Sequence, residues 1–405
     1  MKVEIVPSRN AGLKELPEFS RVYFIGAGFS AGAGYPVGRE LVPQLMCWLQ
    51  RARFRDAQDK LRQEYILTAT SRLLGHYLGV SIDLTKAGEE KIRAAFAGVD
   101  VAEFYSMAHA LAEMPALFDS RPVQSAELDP FDLSRLYEFL SAATRSYFLH
   151  ISEQRERLPK DMDAILNNIN ERRHAIVNFN WDEEVDILLS TWEEDGADDD
   201  QDHLAYTIHG WTSKRFVHLK PHGSIGWYDV KQGLANDDLY FIADDDNRIR
   251  RSEQSILAFS ENELPKDVDG EWHPRLSCPP VIMPPTFTKR FEFAEQQMIW
   301  RDVIELCGHA HEFVFLGYSL PFDDFLTRAA IRRSISGRTG QDSVKCLLVG
   351  TSCGEHVVRN FASVFPGFSV EGHFLQWTFG KPQAHPAKAH IAEEIERRLK
   401  KRYGC

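Results

Sequence analysis

The pattern of apolar and polar positions divides the chain into a first strand, a long helical stretch and a later set of strands. The apolar run RVYFI ends at Gly26, and a helix is predicted to begin near Arg39. From about Leu41 to Arg173 the apolar residues recur at helical spacing, as in LVPQLMCWLQ and DLSRLYEFLSAATRSYFLHI, without a convincing strand. This stretch predicts a helical insertion placed early in an α/β domain.

Strand-like runs return after the insertion, and several end at Gly, Asn or Pro, as buried parallel strands do where they meet loops. They read HAIVNFN, LAYTIHG, RFVHLKPHG, LYFIAD, EFVFLGYSL and VKCLLVG, and helical segments such as DEEVDILLSTW, FEFAEQQMIWRDVIELCGHA and DDFLTRAAIRRSI separate some of them. We therefore expect an α/β fold with a Rossmann-like, largely parallel sheet, formed by residues 1–40 and 174–405, with residues 41–173 as the helical insertion. The final HIAEEIERRLKKRY predicts an amphipathic helix that packs on the body or on a partner.

Composition and charge narrow the classes of function. The formal net charge of -12 argues against broad electrostatic capture of nucleic acid. No apolar run approaches a membrane span, the start lacks the apolar core of a signal peptide, and a cytoplasmic location is expected. The 6 cysteines are scattered without a Cys-x-x-Cys pair, which gives no zinc-knuckle spacing. Acidic clusters at 193–202, 237–238 and 244–246 lack the EF-hand spacing and are expected to be solvated loops.

The glycine-rich turn after the first strand is the first candidate for binding chemistry. Gly26, Gly28 and Ala31 have the spacing G-x-G-x-x-A, in which the first glycine allows a tight turn and the second lets the backbone approach a pyrophosphate. Alone, the motif is a weak signal, and a plain strand-to-helix turn is the alternative interpretation. A dehydrogenase would also need a second strand that ends in Asp or Glu about 20 residues later. That place holds LMCWLQRARFRD, which looks helical and basic, so an ordinary dehydrogenase fits poorly.

Two later stretches add polar side chains at predicted strand ends. VNFNWD contributes Asn178, Asn180 and Asp182, and LKPHGSIGW contributes His222. Each is ordinary by itself, because an asparagine there is often a turn or cap and a lone histidine often satisfies a core hydrogen bond. A second His-Gly pair begins at His209. Together with the glycine turn, however, these residues indicate a site at the carboxyl ends of the strands.

Taken in order, these motifs resemble those of the sirtuin superfamily, whose glycine loop reads roughly GAG-x-S-x-x-x-G-I-P-x-F-R. The family's Gln-Asn-x-Asp, catalytic His-Gly and late Gly-x-Ser motifs also have counterparts. The matching residues are Gly26-Ala27-Gly28-Phe29-Ser30, Gly34-Tyr35-Pro36, Arg39, Phe179-Asn180-Trp181-Asp182, His222-Gly223 and Gly317-Tyr318-Ser319.

Two departures from the family pattern point to a particular branch. The two Cys-x-x-Cys pairs of the deacylase zinc ribbon are missing, and Val37-Gly38 replaces the usual Asp-Phe. With its helical insertion, the chain resembles the bacterial sirtuin-like branch that hydrolyses NAD+ in antiphage defence. The GYSLP-D signature of that branch is similar to residues 317–321 with Asp323 or Asp324. The resemblance implies an NAD+ glycohydrolase without zinc, held in a homo-oligomer or beside a partner such as a HerA-type ATPase or an Argonaute.

The resemblance also implies roles for individual residues. Asn180 would orient water or the ribose hydroxyls, and His222 would act as a general base. The implied NAD contacts are Gly26, Ala27, Gly28, Phe29, Ser30, Arg39, Asp182, Gly317, Tyr318 and Ser319. Asp323 or Asp324 is expected to cap the following helix. Two alternatives stay open, namely an NAD-dependent protein deacylase and a non-catalytic NAD- or ADP-ribose-binding regulatory subunit.

Overall fold

A parallel sheet lies at the centre of the molecule. The computed structural model describes residues 21–113, 133–154, 158–172, 174–190, 204–205, 216–229, 256–258, 276, 280–283, 294–336, 338, 344–380 and 391–403. Seven strands form the sheet in the order β3-β4-β2-β1-β7-β8-β9, and each neighbouring pair is parallel. They are β1 (Arg21–Ile25), β2 (Ala175–Asn178), β3 (Leu204–Ala205), β4 (Phe216–Leu219), β7 (Glu312–Leu316), β8 (Lys345–Gly350) and β9 (Phe374–Gln376). The prediction of an α/β fold with a largely parallel sheet is confirmed.

The strand order reverses at β1, and this reversal positions the site. On one side of β1 lie β2, β4 and β3, in that order outward, and the chain then returns to place β7, β8 and β9 on the other side. Val22 pairs with Ala175 on one side and with Phe313 on the other. In open parallel sheets, ligands bind outside the carboxyl ends of the strands at such a switch point. The loops that follow β1, β2, β4 and β7 therefore meet where a ligand site is expected.

The segment between β1 and β2 is helical. A short helix, α1 (Ala27–Ser30), follows the first strand directly, and two 3₁₀ turns lead from it to the next helix. The longer helices are α2 (Leu41–Arg51), α3 (Ala57–Tyr77), α4 (Glu89–Phe96), α5 (Val101–Glu113), α6 (Leu136–Glu153) and α7 (Lys160–Glu171). The described parts of 41–172 contain no strand. Asp56 fixes the start of α3, because its carboxylate accepts from the N–H groups of Gln58 at 2.7 Å and Asp59 at 3.1 Å.

The remaining helices cover the sheet. They are α8 (Glu184–Ser190), α9 (Ala294–His309), α10 (Phe325–Ile335), α11 (Glu355–Ala362), α12 (Val370–His373) and α13 (Ile391–Tyr403). Along α13, Ile391, Ile395 and Leu399 recur every four residues and are buried. Glu396 on the same helix forms an ion pair with the buried Arg21 of β1. The C-terminal helix thus packs on the body, which is one of its two expected positions.

Some of the elements predicted from the sequence lie outside the described residues. The predicted strand LYFIAD and the acidic clusters lie outside them, and only the first two residues of LAYTIHG lie inside, as β3. The sequence patterns missed β9 and the antiparallel pair of β5 (Trp227–Asp229) and β6 (Ile256–Ala258), each of which has only three residues. In the described part of the chain, no helix combines the length and the apolar character needed to cross a membrane.

Candidate active site

A cavity of about 560 Å³ opens at the carboxyl ends of β1, β2, β4 and β7. This volume falls within the roughly 300–1,000 Å³ usual for small-molecule and cofactor sites. The predicted site residues that line it are Gly26, Ala27, Gly28, Ser30, Arg39, Asn180, Asp182, His222, Gly317, Tyr318 and Ser319. Phe29 does not line it: its side chain is fully buried and packs edge-on against Phe379 at 4.9 Å between ring centroids.

The glycines of the first loop lie against the loop after β7. A Cβ on Gly26 would lie 2.6 Å from the Tyr318 ring, and one on Gly28 would lie 2.8 Å from the Gly317 carbonyl oxygen. Gly317 itself has φ +60, and a Cβ there would lie 2.1 Å from the Phe29 nitrogen. The N–H groups of Gly26 and Gly28 donate to the carbonyls of Leu316 at 3.0 Å and Gly317 at 2.9 Å. These two N–H groups are thus used inside the protein, and the two glycines shape the loop rather than donate to a ligand.

Asn180 ties the loop after β2 to the loop after β1. Its Nδ2 donates to the Gly26 carbonyl at 3.0 Å and to the Ser30 hydroxyl at 2.8 Å. Its backbone N–H donates to Oδ1 of Asn178 at 3.0 Å. Both protons of the carboxamide nitrogen are therefore committed to the protein. Oδ1 is the atom of Asn180 that remains to accept a hydrogen bond from a ligand.

Asp182 is a buried carboxylate on the same loop. Burial, together with the nearby charge of Glu184, raises the pKa of Asp182 from 3.8 to about 6. A hydrogen bond from Ser30 and the positive charge of Lys220 act in the opposite direction. Ser30 thus connects Asn180 to Asp182, and the three side chains form one hydrogen-bonded set at the cavity wall.

A buried lysine beneath the cavity holds two of the loops together. Lys220 is fully buried at the end of β4, and its Nζ donates to the Asp182 carbonyl at 2.7 Å, Oδ2 of Asp186 at 2.7 Å and the Ser224 hydroxyl at 2.9 Å. All three protons of the ammonium group therefore have acceptors. The sequence analysis did not foresee this role of Lys220.

His222 lies at the wall of the cavity, and the glycine after it allows the turn. Gly223 has φ +77, and a Cβ there would lie 2.1 Å from the Val281 carbonyl oxygen, so a larger residue would be strained and crowded. The His222 carbonyl accepts from the N–H of Met283 at 2.8 Å. The imidazole lies 5.0 Å from the ring of Phe179 and 6.0 Å from that of Trp300, between centroids.

Asp324 faces His222 instead of capping its own helix. It occupies the N-cap position of α10, as expected, but its side chain makes no capping hydrogen bond. One oxygen, Oδ2, lies 3.4 Å from Nε2 of His222 and accepts from the Tyr318 hydroxyl at 2.5 Å. For Asp324 the expected capping role is therefore wrong, because its carboxylate is directed to Tyr318 and His222 and not to the N–H groups of α10.

The helical segment supplies part of the cavity wall, which the sequence analysis did not predict. Val99, Asp100, Val101 and Ala102, around the start of α5, line the cavity, and so does Phe148 of α6. Asp100 caps α5, because its Oδ1 accepts from the N–H groups of Ala102 at 2.8 Å and Glu103 at 3.1 Å. No local sequence signal marks these positions, since only the packing of the helices against the sheet brings them to the site.

The charge around the cavity is mainly negative. Four carboxylates line it, those of Asp100, Asp182, Asp323 and Asp324, and Arg39 is the one Lys or Arg among the described lining residues. In the described part of the chain, no group of three or more His, Cys, Asp or Glu side chains is arranged to hold a metal ion. Cys278 and Cys405 lie outside that part.

No protein-family model and no curated protein matches the sequence. Among solved structures, the chain is similar to Sir2Tm bound to a propionylated peptide, with 12% identity and a TM-score of 0.36 over 95% of this chain and 93% of that one. A structure on the mechanism and regulation of Sir2 enzymes gives 13% identity and a TM-score of 0.36 over 93% and 92%. A Sir2 complex with an inhibitor, 2′-O-acetyl-ADP-ribose and a deacetylated peptide gives 14% identity and a TM-score of 0.30, over 95% of this chain and 94% of that one. At these values the likeness carries no argument about function.

Proposed function

We propose that the protein is an NAD+ glycohydrolase that cleaves the bond between nicotinamide and ribose to give nicotinamide and ADP-ribose. The observation that carries this proposal is the meeting of Asn180 and His222 at one cavity, from the ends of two different strands. The order of the motifs in the sequence, which resembles that of the sirtuins, supplies the choice of NAD+ as substrate.

The proposed reaction requires little covalent chemistry from the protein. The bond between C1′ and the pyridinium nitrogen breaks, its electron pair goes to that nitrogen, and neutral nicotinamide leaves. The oxygen of a water molecule then bonds to C1′, and His222 takes the proton that this water loses. Such cleavages pass through an oxocarbenium-like state with positive charge on the sugar.

The electrostatics of the cavity suit that transition state. Asp182 and Asp324 are buried carboxylates at the cavity wall, where a developing positive charge is stabilised more strongly than in water. The two amide protons of Asn180 are committed to Gly26 and Ser30, so this side chain acts on water or on a ribose hydroxyl through Oδ1. Its fixed orientation is a form of preorganisation.

Contacts to the rest of the dinucleotide are assigned to the loops at the mouth. Arg39 and Ala27 are exposed and line the cavity, so we assign Arg39 and the backbone at Ala27 to the phosphates. Gly317 and Ser319 are assigned to the adenosine side. Within this proposal Gly26 and Gly28 allow the two loops to approach each other, and Ser30 orients Asn180.

The biological setting that we propose rests on the motif resemblance alone. It is a cytoplasmic antiphage effector that depletes NAD+, assembled as a homo-oligomer or with a partner such as a HerA-type ATPase or an Argonaute. Light scattering at micromolar concentration tests the homo-oligomer, and a strictly monomeric species would count against it.

Two other functions are separated from this one by the same assay. The protein is incubated with NAD+, with and without an acetylated peptide, and the products are identified by chromatography. Nicotinamide release without peptide supports the glycohydrolase, and release that depends on peptide supports a deacylase. Binding of NAD+ in a calorimetric titration, without any product, supports a regulatory binding subunit.

A further inference from the structure

The carboxylate of Asp324 lies against the imidazole of His222, and the motif resemblance gives it no part in catalysis. Its Oδ2 is 3.4 Å from Nε2 of His222, and the residue is only 2% exposed. A carboxylate this deeply buried is costly unless it is compensated by hydrogen bonds or charge. Since the side chain does not cap α10, its partners must be sought at the cavity wall.

Tyr318 holds this carboxylate in place. The phenol donates to Oδ2 of Asp324 at 2.5 Å. Burial and the adjacent Asp324 carboxylate raise the pKa of Tyr318 well above its usual range, so it keeps its proton at neutral pH and remains a donor. The Tyr318 ring stacks on Phe179 at 4.4 Å and 16°, and Phe179 also contacts the imidazole of His222 at 5.0 Å between ring centroids. Asp324, Tyr318 and His222 therefore form one packed group.

We propose that Asp324 is a positioning residue for His222: its carboxylate holds the proton on Nε2 and leaves Nδ1 unprotonated as the base. When Nδ1 takes the proton from water or a ribose hydroxyl, the same carboxylate stabilises the imidazolium that forms. This second step rests on the proposed function, whereas the choice of tautomer does not.

Several groups act on the imidazole together. Asp324 approaches from the start of α10, Tyr318 from the loop after β7, and Trp300 from α9. Asp182 and Asp323 line the same cavity and add negative charge. Among these residues, Asp324 has the shortest charged contact with His222 that the structure shows, which makes its removal the most specific test.

The first test reads the tautomer directly and needs no substrate. Nitrogen NMR of the full-length, ¹⁵N-histidine-labelled protein reports which ring nitrogen of His222 carries the proton, with the signals assigned through His222→Gln. We expect the Nε2–H form to predominate in the wild type at a pH where the ring is neutral. Asp324→Asn, which preserves the shape and removes the charge, should give a mixture of both tautomers. Asp323→Asn is the matched control: it removes the same charge from the cavity but keeps the 3.4 Å contact of Asp324 with His222, so it should change the populations less than Asp324→Asn.

Tyr318→Phe is a second variant, and it should keep the Nε2–H tautomer of His222 that Asp324→Asn is expected to lose. Without the phenol, Oδ2 of Asp324 is left to His222 alone, so the Nε2–H form should stay predominant. An opposite charge within about 4–6 Å favours the charged form of a group and changes its pKa by about 1–3, which for an imidazole means a higher pKa. The acidic limb of the pH–rate profile should accordingly move to lower pH in Asp324→Asn and to higher pH in Tyr318→Phe.

The outcomes separate this inference from the proposed function. Unchanged tautomer populations in Asp324→Asn, with a wild-type unfolding temperature, would overturn the positioning role. If the wild type cleaves no NAD+, the proposed function fails, but the spectrum of His222 still decides the role of Asp324. If Asp324→Asn does not fold, Tyr318→Phe becomes the deciding variant. A loss of the Nε2–H form of His222 in Tyr318→Phe would then overturn the inference.

Discussion

The carboxamide of Asn180 donates to the hydroxyl of Ser30 at 2.8 Å, although 150 residues separate them along the chain. This bond joins the loop after β2 to the loop after β1, beneath the cavity that both loops line. Ser30 also bonds to Asp182, so a disturbance at one of the three side chains reaches the other two. The site is thus held in shape by buried hydrogen bonds before any ligand enters.

A double-mutant cycle tests this coupling. Ser30→Ala and Asn180→Ala should each lower the free energy of unfolding by about 1–3 kcal/mol, because each leaves buried polar groups without a partner. The double variant should lose less than the sum, with a coupling energy of about 0.5–3 kcal/mol, measured by urea denaturation. Additive losses would show that the two residues act independently.

The close approach of two loops predicts that Gly317→Ala is strongly destabilising. The new Cβ would lie 2.1 Å from the Phe29 nitrogen at a φ of +60, so the loops must separate. We expect a loss of at least about 3 kcal/mol, or failure to fold, in thermal or urea unfolding.

Gly308→Ala is the matched control for that substitution. Gly308 lies in α9, its Cβ would meet nothing within 4 Å, and alanine is a better helix former by about 1 kcal/mol. This variant should be as stable as the wild type or slightly more so. Equal losses in both variants would contradict the account of the loop contact.

The raised pKa of Asp182 predicts a particular dependence of stability on pH. Between 3.8 and about 6 the folded state binds the proton more tightly than the unfolded state, so stability falls as pH rises through this window. Asp182→Asn removes that titration and keeps an acceptor for the Glu184 N–H at 3.3 Å. The free energy of unfolding of the variant, relative to that of the wild type, should therefore rise between about pH 4 and 6 and then level off. The total rise should be at most about 3 kcal/mol.

The control for this titration is Asp83→Asn. Asp83 is exposed, and hydrogen bonds with Thr85 and Lys86 lower its pKa, so its contribution to stability is present at neutral pH and lost in acid. Relative to the wild type, Asp83→Asn should therefore lose stability as pH rises through the acid range, which is the opposite of the change expected for Asp182→Asn. A pH-independent difference for Asp182→Asn, in urea unfolding from pH 4 to 8, would contradict the burial argument.

The contribution of the helical segment can be tested by filling the cavity. Val101 lines it at the start of α5, so Val101→Trp should reduce its volume and weaken NAD+ binding by about tenfold or more, or about 1.4 kcal/mol, in a calorimetric titration. Val370→Trp, at an exposed position outside the cavity lining, should bind like the wild type. Unchanged affinity in Val101→Trp would mean that the ligand does not reach this wall.

How much of this structure is visible in the sequence depends on how local each feature is. The run RVYFI predicted β1 with its observed ends, because a buried parallel strand is a continuous apolar run closed by glycine. The three-residue strand FLQ gave no signal, since three residues carry no periodicity. The motifs around Gly26, Asn180 and His222 led to one cavity because all of them follow parallel strands.

The features that the sequence did not reveal depend on tertiary packing. Gly28 was interpreted as space for a pyrophosphate, whereas its nearest neighbour is the backbone of Gly317. Asp324 has the expected position for an N-cap, yet its side chain faces His222. Val101 and Phe148 are ordinary apolar helix residues until the fold places them at the cavity.

The central claim is tested most directly by measuring the fate of NAD+ with purified wild type and His222→Ala. The two proteins are incubated with NAD+ in the absence of acylated peptide, and nicotinamide and ADP-ribose are quantified over time. We predict equal amounts of both products from the wild type and a loss of at least about a hundredfold in His222→Ala, the scale of general-base catalysis. Intact NAD+ with the wild type, or equal rates with both proteins, would contradict the proposed hydrolysis.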